Sequence, residues 1–185
     1  MAFVVFALIP LEMYTSAFVL FVIAASTDWV DGWWARRFQQ VTQLGRILDP
    51  FCDKIIICGT FILLAVEMDP FPWTMRIAGW MAVVVVGREM LVTALRSFIE
   101  QSGGDFSAKM AGKLKMVLQC VAVGAALIAL RIAAPDPAAA GESVPMWLAA
   151  TLTVSVWAAV VLTVYSGLEY IIAAAKFIRD AGSRT

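Results

Sequence analysis

The chain has 185 residues, room for one domain or two at most; 62% are apolar and 15% charged, and 14 basic and 14 acidic side chains give a formal net charge of +0. Ordinary soluble domains hold roughly 45–50% apolar and about 25% charged residues, and the mean hydropathy here is +0.85. A disordered tail, a nucleic-acid-binding arm and a soluble secreted scaffold are thereby excluded, leaving an all-α, polytopic integral membrane protein. The chain opens inside an apolar run, Ala2 to Leu8, ending at Pro10; without a charged region before it, this reads as a span under way rather than a secretory signal. A second apolar segment runs from about Tyr14 to Thr27 and continues as a helix into charged sequence. A third covers Pro50 to Val66, a fourth Met75 to Ala94, a fifth Leu114 to Leu130, and the sixth, Ser143 to Leu168, is 26 residues without a charge. Breakers separate them at Asp69-Pro70-Phe71-Pro72, Gly103-Gly104 and Pro135-Asp136-Pro137. The expectation is a single membrane domain over residues 1–185 with about six transmembrane helices.

Charge placement orients the segments. With the loop near residues 36–46 in the cytoplasm, nearly all of the lysines and arginines fall on that side or at its edge. Arg76 and Arg131 fall near the opposite face, where Glu67, Asp69, Asp136 and Glu142 also lie, and Arg88 falls within a span. Cys52, Cys58 and Cys120 lie in apolar stretches without zinc-ligand spacing and read as inert small side chains. Trp29, Trp33, Trp34, Trp73 and Trp147 sit near span ends, as interfacial anchors do. The tail from Lys176 to Thr185 reads as a short basic anchor at an anionic leaflet. There is no histidine, which excludes Ser-His-Asp chemistry, histidine-ligated metals and an imidazole base.

The most informative stretch carries four aspartates. At about 100° per residue, Asp28, Asp31, Gly32, Ala35 and Arg36 share one helix face. Asp49 and Asp53, at i and i+4, share a face of the next helix, with Gly45 one turn earlier. Two antiparallel helices would gather the four carboxylates at the membrane edge. Like charges cluster at low dielectric only if some are protonated or cations lie between them. Oxygen-only donors favour Mg²⁺, Mn²⁺ or Ca²⁺, and four shared carboxylates suit a pair of ions that would clamp a phosphoryl group. Gly32 and Ala35 leave space beside such ions, and Arg36 offers a planar fork for phosphate.

The pattern D-x2-D-G-x2-A-R-x8-G-x3-D-x3-D, met by Asp28, Asp31, Gly32, Ala35, Arg36, Gly45, Asp49 and Asp53, resembles the signature of the CDP-alcohol phosphatidyltransferase family. The resemblance implies a six-helix membrane fold, a homodimer, and a site for two divalent cations, Mg²⁺ or Mn²⁺, open to the cytoplasm of the cell (inner) membrane. It implies that an alcohol displaces CMP from CDP-diacylglycerol in phospholipid biosynthesis, with no nucleic-acid partner. In this likeness Asp28 and Asp49 bridge both metals, Asp31 completes one site, and Asp53 ligates the other and acts as catalytic base. Gly32, Ala35, Arg36, Thr42 and Gly45 fall to the CDP-lipid. An N-terminal segment of the family that helps cover the nucleotide is expected to be missing.

The second informative stretch is Gly87-Arg88-Glu89 to Thr93-Ala94-Leu95-Arg96, then Lys109, Gly112-Lys113 and Lys115. Arg88 and Arg96, eight apart, lie near one helical stripe. Beside the metal site, Arg88, Arg96, Lys109, Lys113 and Lys115 would form an anion pocket; the plainer reading is membrane anchoring with Arg88 paired to Glu89. The wording resembles the phosphatidylglycerophosphate-forming branch of the family, which implies glycerol 3-phosphate as acceptor, although Met116 stands where that branch often has threonine. Alternatives are the same core with phosphatidylglycerol, serine or an inositol phosphate as acceptor, a divalent-cation transporter, and, last, aspartate-rich prenyl transfer.

Overall fold

A computed structural model describes the backbone of residues 1–38, 43–101, 110–134, 136 and 140–182. Side chains are described for these except 28–38, 43–53, 98, 100, 101, 110–113, 177, 178 and 180–182. All regular structure among the described residues is helical: α1 (Ala2–Leu8), α2 (Tyr14–Phe38), α3 (Gln43–Glu67), α4 (Gly79–Gln101), α5 (Met110–Ala133), α6 (Ala140–Ser143) and α7 (Met146–Gly182), with a 3₁₀ turn at Trp73–Met75. Each of the six expected apolar segments is helical over most or all of its length, and the protein is an all-α, multi-pass membrane protein. Three stretches, Trp73–Ser97, Leu114–Ala133 and Met146–Lys176, are long and apolar enough to cross a membrane, and Tyr14–Thr27 is a shorter apolar helix.

The boundaries follow backbone chemistry. Pro70 and Pro72 have no N–H to extend α3, and the chain turns through bonds from Asp69 N to Val66 O (3.2 Å) and Phe71 N to Met68 O (3.0 Å). Arg76 closes this turn, donating to the Asp69 carbonyl (2.8 Å) and carboxylate (3.0 Å). Pro145 precedes the first residue of α7, and its carbonyl accepts from Leu148 N and Ala149 N at 2.9 and 3.0 Å. Several bounds differ from expectation; α4, for one, begins at Gly79 rather than at Met75. The third segment was expected from Pro50, but α3 begins at Gln43, so the proline lies inside the helix. The stretch from Lys176, expected as a tail, continues α7 to Gly182, because Ala173-Ala174-Ala175 and the residues after them sustain a helix where hydropathy has already fallen.

α5 lies at the centre, packed on α2, α3 and α7, while α4 fills the space between α3 and α7. Half of its apolar span is buried, against 39% for the spans of α4 and α7. Its buried residues are mostly small, with Ala122, Ala125, Ala126 and Ala129 around Val123, Leu127 and Leu130. Small residues let membrane helices approach closely and gain dispersion contacts, the main attraction where lipid is as apolar as the helices. α1 packs on α2 and α3, and a Cβ on Gly59 would stand 2.3 Å from the Phe6 ring, so a larger residue there would displace the ring. Outward positions are apolar too, among them Val83, Val121, Val154, Val161 and Ile172, as expected of a surface that meets lipid.

The helix sequence puts chemistry at one end. The ends of α2 and α4 and the starts of α3 and α5 lie towards that end, where Ser166 and Tyr170 of α7 contact α4. Glu67, Asp69 and Arg76 lie at the other end, where Tyr14 donates to Glu67 at 3.4 Å and the Thr153 hydroxyl of α7 lies 2.8 Å from both the Thr74 carbonyl and the Ala149 carbonyl of its own helix, sharing one O–H between them. Trp73 and Trp147 are exposed at that end, in keeping with an interfacial place.

Candidate active site

Asp28 and Asp31 lie on α2, and Asp49 and Asp53 on α3. Their side chains, with those of Gly32, Ala35, Arg36, Gly45 and Lys113, lie outside the described residues, as do Thr42 and Lys109 altogether. Among the described residues no group of three or more His, Cys, Asp or Glu could hold a metal; the candidate set is the four aspartates singled out by their spacing in the sequence. The fit rests on donor chemistry: carboxylate oxygens from two consecutive helices, at i,i+3 and i,i+4, suit hard divalent cations.

One residue after Asp53, the described side chains begin with Lys54, and they form a polar cluster at the same end of the bundle. The Lys54 ammonium donates to Thr93 Oγ1. The Thr93 hydroxyl donates in turn to the Glu89 carbonyl at 2.6 Å. The Glu89 carboxylate is the hub of the next layer. It accepts from Lys115 Nζ and from Arg88 Nη1, the latter at 3.3 Å, and all three side chains are at most 10% exposed. Arg88 Nη2 donates to Ser166 Oγ at 2.9 Å, and Arg96 Nη2 donates to the Tyr170 hydroxyl at 3.1 Å. Both guanidiniums also lie over the Tyr170 ring, with Cζ 5.6 Å (Arg88) and 5.9 Å (Arg96) from its centroid.

Of the expected anion-pocket residues, then, Arg88, Arg96 and Lys115 share one cluster. Among the described residues of this cluster Glu89 supplies the one carboxylate, against positive charges on Lys54, Arg88, Arg96 and Lys115. The Nε–H groups of Arg88 and Arg96 are buried and find no acceptor among the described residues. A buried donor without a partner costs about 1–3 kcal/mol, and an anion with several oxygens would answer both the excess charge and the unused donors. Arg88 does pair with Glu89, but that pairing leaves part of its guanidinium uncommitted.

Sequence reasoning missed Ser166, Tyr170 and the Lys54–Thr93 contact. Ser166 and Tyr170 stand at i and i+4, so they share a face of α7. That spacing at the end of an apolar span was the available signal. Cys58 is buried beside this region and Cys120 is partly so, and neither forms a disulfide. A groove of about 440 Å³ between α3 and α4, lined by Ile62, Ala65, Val66, Ala82, Val83 and Val86, is apolar.

Residues 1–165 match the model of the CDP-alcohol phosphatidyltransferase family, a match that stops one residue before Ser166. The chain is 36% identical over 154 residues to the CDP-diacylglycerol–glycerol-3-phosphate 3-phosphatidyltransferase of Bacillus subtilis (strain 168), covering 82% of this chain and 69% of that protein. It is 33% identical over 166 residues to a protein of Mycobacterium tuberculosis (strain ATCC 25618 / H37Rv) named "Probable phosphatidylglycerophosphate synthase", covering 90% and 68%. A CDP-diacylglycerol–glycerol-3-phosphate 3-phosphatidyltransferase of Sodalis glossinidius (strain morsitans) is 31% identical over 158 residues, covering 84% and 76%.

Proposed function

The chain belongs to the CDP-alcohol phosphatidyltransferase family, and on that premise we propose that it transfers the phosphatidyl group of CDP-diacylglycerol to glycerol 3-phosphate, forming phosphatidylglycerophosphate and releasing CMP. The observation that carries the choice of acceptor is the cluster of the half-buried Arg88 and Arg96 with the buried Lys115, which holds one carboxylate and two uncommitted Nε–H donors among the described residues. A phosphorylated alcohol brings the negative charge and the oxygens this cluster lacks. Serine has no phosphate to bring. The names of the relatives support the same acceptor.

In this reading residues 1–185 act as one catalytic membrane domain. Gly32, Ala35, Arg36, Thr42 and Gly45 bind the CDP-lipid: the small residues leave room for it, and Arg36 meets its diphosphate with a planar fork. Arg88, Arg96, Lys109, Lys113 and Lys115 hold the acceptor's phosphate. Asp53 takes the proton of the attacking hydroxyl as the new oxygen–phosphorus bond forms and the bond to CMP breaks. Asp28, Asp31, Asp49 and Asp53 hold two divalent cations, Mg²⁺ or Mn²⁺, which when bound would neutralise charge on the phosphoryl oxygens and on departing CMP. The concentration of lysine and arginine at this end supports a cytoplasmic site in the cell (inner) membrane. A homodimer belongs to the same proposal.

The test is CMP formation by the purified protein from CDP-diacylglycerol with glycerol 3-phosphate, phosphatidylglycerol, serine or an inositol phosphate, with and without Mg²⁺ or Mn²⁺. CMP release with glycerol 3-phosphate alone among the acceptors, and only with metal, is the expected result. Preference for another acceptor would reassign the cation cluster, and metal flux into liposomes without CMP would favour a transporter.

A further inference from the structure

Arg88 and Arg96 stand eight residues apart, so their Cα atoms are about 12 Å apart along α4, yet both guanidiniums converge on one side chain of another helix. Two like charges do not converge unaided. Tyr170, 6% exposed on α7, draws them together. Its ring lies within 5.6 Å of Arg88 Cζ and 5.9 Å of Arg96 Cζ, and its hydroxyl accepts from Arg96 Nη2 at 3.1 Å. The neighbouring positions of α7 complete the seat. Ser166 takes Arg88 Nη2 at 2.9 Å, and Gly167 leaves space for the Arg88 stem, since a Cβ there would stand 3.2 Å from Arg88 Cγ. Each guanidinium is thus held from its outer nitrogens and keeps its Nε–H uncommitted.

We infer that Tyr170, with Ser166 and Gly167, is a positioning residue that sets Arg88 and Arg96 as a paired clamp for the phosphate of the acceptor, so that α7 takes part in selecting a phosphorylated alcohol over an unphosphorylated one. This rests on the reading of Arg88 and Arg96 as acceptor-phosphate ligands. Tyr170 acts through the arginines, as a cation–π platform and hydrogen-bond acceptor, and makes no contact with the reacting atoms. A guanidinium released from it would recover freedom that binding phosphate must then remove.

The experiment measures CMP release by the full chain in mixed micelles, varying glycerol 3-phosphate and CDP-diacylglycerol separately. Wild-type protein is the first arm: no CMP with glycerol 3-phosphate overturns the acceptor reading and this inference with it. Given wild-type activity, Tyr170→Leu is expected to raise the KM for glycerol 3-phosphate about tenfold, the scale of a lost charge-assisted hydrogen bond with a cation–π contact. Its KM for CDP-diacylglycerol should stay within about twofold of wild type on the same grounds. Tyr170→Phe keeps the ring and should recover part of the loss. Gly167→Ala presses on the Arg88 stem and should raise the same KM while leaving the Tyr170 side chain in place. An unchanged KM for glycerol 3-phosphate in Tyr170→Leu sinks the inference while leaving the acceptor reading intact. So does a joint fall of kcat, both affinities and melting temperature in Tyr170→Phe and Gly167→Ala, which would mark a merely structural role; those two milder variants decide the matter if Tyr170→Leu fails to fold.

Discussion

The two ends of the helix bundle handle charge in opposite ways. At one end Arg76 and Asp69 form an ion pair at 3.0 Å across a tight turn, with the aspartate side chain 82% exposed. Water screens such a pair, which is worth about 1 kcal/mol or less. At the other end Glu89 is shared by Arg88 and Lys115, with side chains 5–10% exposed and drawn from α4 and α5. Burying those groups carries a desolvation cost of several kcal/mol per ion, roughly. The first end uses charge to close a local turn. The second keeps charge in an expensive place, with more cation than its own carboxylate balances, which is the pattern expected where a ligand completes the balance.

Substitutions can sharpen or break that contrast. The largest effect is expected from Asp53→Asn: CMP release should fall by about a hundredfold or more, the scale of a lost general base, while circular dichroism and melting temperature stay those of the wild type. Full activity in that variant would take the proton-accepting role away from Asp53. Next comes Glu89→Gln, which leaves Lys115 and Arg88 without their shared carboxylate. Breaking a buried pair from one side costs about 3 kcal/mol, to be read as a lowered melting temperature in detergent. Arg96→Ala should raise the glycerol 3-phosphate requirement about tenfold with little change for CDP-diacylglycerol, and equal effects on both substrates would count against the anion pocket. The smallest effect belongs to Arg76→Ala: stability should change by less than about 1 kcal/mol and CMP release should hold. A large loss of activity there would erase the distinction between the two ends.

Much of the architecture is legible in the residues because charge and proline punctuate a long apolar text. Asp69-Pro70-Phe71-Pro72 marks the end of α3, and the uncharged run from Ser143 marks α7. The start of α3 was less legible, since Pro50 looks like a helix opening and sits instead within a helix that begins at Gln43. The far end of α7 was hidden for a different reason: hydropathy reports lipid, whereas helix formation continues wherever alanine, lysine and arginine favour it. In the site, the aspartate pattern could be read from spacing alone, and so could the common stripe of Arg88 and Arg96. Their meeting at Tyr170 could not. It depends on how α4 and α7 are offset along their axes, and no spacing within one helix encodes the register between two.

That register has a mechanical side. α7 is a single uninterrupted helix that grips the rest of the molecule near both of its rims, through Thr153 at the Thr74 carbonyl and through Ser166 and Tyr170 at the arginines. A slip of one residue would advance it by about 1.5 Å and turn it by about 100°, undoing both grips at once. The helix therefore works as a gauge rod: its two fittings, some 26 Å apart at that rise, agree in one seating only, and the spacing of the guanidiniums is cut to the same measure.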